Sequence, residues 1–202
     1  IDCSTAVPSS TRAVAAKGAA AGGRFLDAAM TRTPLEAEEG RLNLLIGGEP
    51  ALLEEMRPLL ESFSENRFHA GMVGAGHTLK LLHNFVSVGC VALIGEAASC
   101  ASAAGIAPEV FVEVLRKGGG HGAALDRVAP FILDGDNSKM KFSVANARKD
   151  IDYYSRLTAD TGSSGAVAAG VLAALTALME AGMDQRFLSE SSAAFAELAE
   201  RS

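Results

Sequence analysis

The stretch "GAGHTLKLLHN", residues 74 to 84, sets Lys80 and Asn84 four positions apart. On an α-helix that spacing points an amine and an amide the same way, one turn apart. The next run, "FVSVGCVALIGEAASCASAAG", has Glu96 as its only charged residue. A lysine on the first turns of such an apolar helix is expensive to desolvate, so it belongs at a surface or in a polar pocket. The alternative is a surface lysine snorkelling from a core helix.

Three further stretches carry polar groups in patterns able to bind or react. In "MTRT", residues 30 to 33, Thr31 offers a hydroxyl and Arg32 a bidentate fork for carboxylate, sulfonate or phosphate. Arg32 could equally pair with Glu36, Glu38 or Glu39. "ARKDI" sets Lys149 beside Asp150, a pair equally at home on a solvated face. Ser4 and Thr5 end "IDCST", where hydroxyls would cap a following helix.

The elements that must position these groups change character near residue 71. Before it, strand-like runs ("IDCST", "RFLDAAM", "LNLLIGG", "NRFHAG") alternate with helices in "SSTRAVAAKGAAAGG" and "PALLEEMRPLLESF". That alternation is an α/β layer. After it every segment reads as helix, over about 75–104, 108–117, 122–134, 144–161, 165–182 and 190–200. The helix after Lys80 is rich in Gly, Ala, Ser and Cys, so other helices can approach it closely and it should be central. The charge-poor helical half also suggests a partner subunit.

Composition narrows the function. The chain has 202 residues and a net charge of −6, and without a basic cluster nucleic acid is not an expected partner. The apolar run Phe85 to Gly95 is short for a membrane span, so no membrane partner is expected. Three cysteines in no metal-binding spacing read as reduced and cytoplasmic. Four scattered histidines make no ligand pair, so no metal is expected. "KGGGHG", residues 117 to 122, lacks the strand–loop–helix context of a phosphate cradle and reads as a mobile rim.

Four stretches in order, "IDCSTAVP", "RFLDAAMTRTPLEAEEGRLNLLIGG", "GAGHTLKLLHN" and "FSVANARKDIDYY", resemble the β-hydroxyacid dehydrogenases, the family of 3-hydroxyisobutyrate dehydrogenase. The resemblance covers nearly the whole chain. It implies the fold class: an α/β remnant of a Rossmann-type domain, residues 1–71, followed by an all-α substrate and dimerisation domain, residues 72–202. The Rossmann GxGxxG turn is not found, because the glycines at 74 and 76 follow no buried strand and precede no ribose-binding acid. By resemblance roughly 90 residues, enough for a βαβαβ half, would precede Ile1 in a complete enzyme.

The resemblance also assigns roles. Lys80 matches the family's catalytic lysine, the acid/base group that exchanges a proton with the substrate oxygen as hydride leaves or arrives. Asn84 would hold the lysine or the substrate oxygen, while His83 stands where relatives carry another asparagine. Thr31 and Arg32 match the substrate loop, usually Ser-Gly-Gly, so the implied substrate is anionic and Arg32 favours a sulfonated analogue among the alternatives. Thr5 and Lys149 match positions at the cofactor, NAD or NADP, with Asp150 positioning the lysine. The implied reaction interconverts a 3-hydroxy acid such as 3-hydroxyisobutyrate and its semialdehyde, in a homodimer or higher homo-oligomer. Alternatives are a short-chain semialdehyde reductase of the same fold, or a non-enzymatic helical dimerisation fragment.

Overall fold

The computed structural model describes residues 1–201, which form two compact units: Ile1–His83 with Arg156–Ser163, and Asn84–Ser155 with Ser164 onward. The first unit holds three strands, β1 (Asp27–Thr31), β2 (Leu42–Gly47) and β3 (Ser64–Gly71), in that spatial order. β1 runs antiparallel to β2, and β2 parallel to β3. β2, "LNLLIG", is apolar almost throughout because it is central and covered on both faces. Its Leu42, Leu44 and Ile46 pack with Leu26 and Ala28 of the β1 segment.

Helices α1 (Pro8–Ala20), α2 (Pro34–Glu38) and α3 (Pro50–Glu61) each begin with proline. That residue has no N–H to lose at a helix start and already holds the required φ. α3 is amphipathic and turns Leu52, Leu53 and Leu60 onto the sheet. The run "IDCST" read as a strand but makes a single bridge, Asp2 to Asp27, with hydrogen bonds of 2.8 Å to Leu26 and Ala28. α2 has no counterpart among the elements expected from sequence, since five residues are too few to display a helical period. It is fixed instead by Glu36, whose carboxylate accepts the Thr33 N–H at 3.0 Å and the Thr33 hydroxyl.

Beyond residue 71 the described residues form six further α-helices and no strand. They are α4 (Ala75–Ala103), α5 (Pro108–Lys117), α6 (Ala123–Asp134), α7 (Val144–Thr161), α8 (Ala166–Glu180) and α9 (Ser191–Glu200), the last preceded by a 3-10 turn. Apolar side chains of α4, α7 and α8, among them Val91, Ile151, Val171 and Leu175, make the helical core. The small residues of α4 do what their size suggests. A Cβ on Gly95 would stand 2.1 Å from the Ser191 hydroxyl oxygen, so α9 rests directly on the α4 backbone. α4 is long and apolar enough to cross a membrane, but one of its faces is built into this core. Its other face leaves Val86 and Leu93 more than 60% exposed (62% and 63%).

Candidate functional site

The first unit builds the foot of α4. Asp27, at the start of β1, is completely buried. Its two carboxylate oxygens accept the Gly74 N–H at 2.7 Å and the His77 N–H at 2.8 Å. Gly74 immediately precedes α4 and His77 lies in its first turn, where backbone N–H groups have no intrahelical acceptor and the helix end is positive. Glycine at 76 is required, because a Cβ there would lie 2.3 Å from the Leu45 carbonyl oxygen and 2.9 Å from that of Asp27. Gly74 holds φ 93°, the left-handed turn by which the chain enters the helix. His77 is likewise buried, with Nδ1 2.6 Å from the Thr11 hydroxyl of α1.

Lys80 comes one turn after Gly76 on α4 and is half-buried, and His83 is exposed. At the far end of β1, Thr31 is buried and paired in register with Asn43. Arg32 comes next with φ 85°, a left-handed backbone unusual for a residue with a side chain. Its guanidinium is bound to the Glu65 carboxylate and the Arg41 carbonyl. None of the three glutamates that the sequence offered holds it: Glu36 serves Thr33 and Glu39 pairs with Arg41. The Thr33 hydroxyl and N–H hold the Glu36 carboxyl below its usual range. Thr5 is half-buried in the loop before α1.

The second unit brings Asn84 to Asp150. The Asn84 amide donates to Asp150 at 2.6 Å, with both residues buried. The Lys149 ammonium, its side chain 45% exposed against 3% for Asp150, lies 3.2 Å from the other carboxylate oxygen. It sits 5.8 Å from the Tyr153 ring centroid, within cation–π range. The second Asp150 oxygen has this cation beside it but no aligned hydrogen bond. One residue further along α4, and four along α7, Phe85 and Tyr154 stack at 4.1 Å between centroids, 6° from parallel. Two adjacent pairs therefore pin α4 to α7.

Sequence reasoning did not single out Asp27, His77 or Thr11. A carboxylate inside "RFLDAAM" was the available signal, because a buried acid in an apolar run demands donors.

The known proteins most informative for these residues are dehydrogenases. Residues 74–194 match the family model for the NAD-binding segment of NADP-dependent 3-hydroxyisobutyrate dehydrogenase, and residues 1–74 match the NAD binding domain of 6-phosphogluconate dehydrogenase. The chain belongs to the β-hydroxyacid dehydrogenase family of NAD(P)-dependent oxidoreductases. It is 29% identical to 2-(hydroxymethyl)glutarate dehydrogenase of Eubacterium barkeri over 90% of its own length and 59% of that protein's. With 3-hydroxyisobutyrate dehydrogenase of Pseudomonas aeruginosa it shares 35% identity over 65% of this chain and 44% of the relative. The chain thus spans about half the length of these curated relatives. The solved Mycobacterium tuberculosis 3-hydroxyisobutyrate dehydrogenase with L-serine superposes at a TM-score of 0.84, with 25% identity, over 95% of this chain and 68% of that one.

The family's cofactor is NAD or NADP. Within the second unit the exposed Lys149 cation, beside a buried Asp150 oxygen lacking a hydrogen bond, is a group whose charge suits a phosphate-bearing ligand. The glycine turn that grips a pyrophosphate is not among the 202 residues.

Proposed function

We propose that the chain is the C-terminal part of an NAD(P)-dependent 3-hydroxyacid dehydrogenase, interconverting a 3-hydroxy acid such as 3-hydroxyisobutyrate and its semialdehyde. The observation that carries this reading is the α4 pair: Lys80 and Asn84 one turn apart, with Asn84 fixed by Asp150 at 2.6 Å. Residues 1–71 close the dinucleotide-binding α/β domain, and residues 72–202 form the helical substrate and dimerisation domain. Bound NAD(P) supplies or accepts the hydride.

Lys80 exchanges the hydroxyl proton at the substrate oxygen, and Asn84 orients that oxygen through its amide. An amide held at one end by a buried carboxylate cannot rotate, so its remaining N–H and carbonyl have fixed directions. Thr31 and Arg32 hold the substrate anion. The Arg32 guanidinium is engaged by Glu65 and the Thr33 N–H by Glu36, so each reaches an anion only by exchanging partners. Thr5 and Lys149 contact the cofactor.

The same arginine favours a second reading, a semialdehyde reductase of this fold that accepts sulfonated substrates. If the chain acts alone, it is a non-enzymatic helical dimerisation fragment. The exposed apolar line Val86, Cys90, Leu93, Ala97 and Cys100 on α4 supports a homodimer or higher homo-oligomer. Three free thiols, Cys3, Cys90 and Cys100, support a reducing cytoplasmic setting.

The test is turnover with NAD and with NADP on 3-hydroxy acids and on their sulfonate analogues, for wild type and Lys80→Met. Loss of at least a thousandfold in kcat for the variant supports the assignment of Lys80. Undiminished turnover would sink it.

A further inference from the structure

We propose that Asp27 is a positioning residue of the reaction: its buried carboxylate seats the foot of α4 on β1 and thereby sets the placement of Lys80. The inference rests on the assignment of Lys80 as the acid/base group.

A helix commonly receives its cap from a side chain immediately before its first turn. α4 does not. The residue before Ala75 is Gly74, at φ 93°, and the cap comes from 47 residues upstream, across the sheet. The two Asp27 oxygens take separate N–H groups at 2.7 and 2.8 Å, so the carboxylate fixes both the height and the rotation of the helix end.

The surroundings are shaped to this one carboxylate. A Cβ on Gly47 would stand 2.6 and 2.8 Å from its oxygens, and a Cβ on Gly76 would strike the Asp27 carbonyl oxygen at 2.9 Å. Lys80 lies four residues after Gly76, on the same helix face, about 6 Å further along the axis. A slip or rotation of the foot is therefore carried directly to the lysine.

The experiment compares wild type with Asp27→Asn in the intact enzyme, measuring kcat, KM and the melting temperature. The expected result is a kcat at least tenfold lower per folded molecule with a KM within threefold. Asp27→Glu should not restore kcat, because Gly47 leaves no room for another methylene. A lower melting temperature with kcat per folded molecule unchanged would mean a purely structural acid and would overturn the proposal. Should Asp27→Asn not fold, hydrogen exchange in the wild-type protein decides. The Gly74 and His77 amides should exchange as slowly as the β2 core amides, and fast exchange overturns the clamp. Lys80→Met separates the two claims: if it retains turnover the assignment of the lysine fails, and if only Asp27→Asn is silent the positioning role fails.

Discussion

The Asn84 amide donates to the Asp150 carboxylate at 2.6 Å, joining α4 to α7 between two side chains that are both buried. The two partners differ in charge, so the variants should differ by which one loses the bond. Asp150→Ala takes the carboxylate acceptor from a neutral amide, at about 1–3 kcal/mol. Asn84→Ala leaves a buried carboxylate with only the half-exposed Lys149 beside it, and should cost more, about 3–5 kcal/mol. Asp150→Asn keeps an acceptor for the amide and should lose the least. Urea unfolding of the three variants checks the order, and a reversed order for the two alanine variants would mean that Lys149 carries most of the compensation.

Arg32 offers a test in which glycine should outperform alanine. At φ 85° any Cβ is strained, by about 1–2 kcal/mol, whereas glycine is not. The pairing with Glu65 is part-exposed and contributes at most about 1 kcal/mol. Arg32→Ala loses the pair and keeps the strain, while Arg32→Gly loses both. The glycine variant should therefore be the more stable of the two by about 1 kcal/mol. Equal stabilities would show that the turn relaxes around alanine.

Much of this architecture is legible in the sequence where local signals agree. α5 is found at its observed bounds because Pro108 opens it, Arg116 and Lys117 close it, and its apolar face repeats with the helical period. α7 is similarly placed. β2 reads as a strand because its short run is apolar almost throughout. Apart from α2, too short to show a period, what was missed turns on long-range contacts that override local pattern. Asp27 looks like a stray acid in a strand until α4 arrives to donate to it, and Arg32 looks available to neighbouring glutamates until β3 brings Glu65 closer. The Asn84–Asp150 bond joins residues far apart in sequence, and no spacing rule reveals it. Lys80 and Asn84 stood out because their whole relationship, one turn of one helix, is local.

The exposed line on α4 predicts an oligomer that one charge should disrupt. Val86, Cys90, Leu93, Ala97 and Cys100 recur at intervals of four and three, the spacing of a helix–helix seam. Leu93, 63% exposed, lies in the middle of it. Leu93→Glu should leave the helical core folded, because that side chain points away from it, and convert the oligomer to monomer. Light scattering after size exclusion, with circular dichroism as the folding control, reads both. An oligomer unchanged by Leu93→Glu places the interface elsewhere.

Two glycines on helices should respond to alanine in opposite ways. Gly18, in α1, has open space where a Cβ would go, so Gly18→Ala removes backbone freedom from the unfolded chain without a clash. It should stabilise the protein by about 0.5–1 kcal/mol. Gly76, in the first turn of α4, would drive its new methyl to within 2.3 Å of the Leu45 carbonyl oxygen, with backbone on both sides and nothing flexible to yield. Gly76→Ala should cost about 3 kcal/mol or more, beyond ordinary overpacking, because the strand and helix must part. With Lys80 as the acid/base group, the loss extends past stability. The foot of the helix moves away from β2, Lys80 moves with it one turn above, and kcat per folded molecule falls together with the melting temperature. A Gly76→Ala protein that is destabilised yet keeps wild-type kcat would show that the lysine's position is set further along the helix, at Asn84 and Asp150, rather than at its foot.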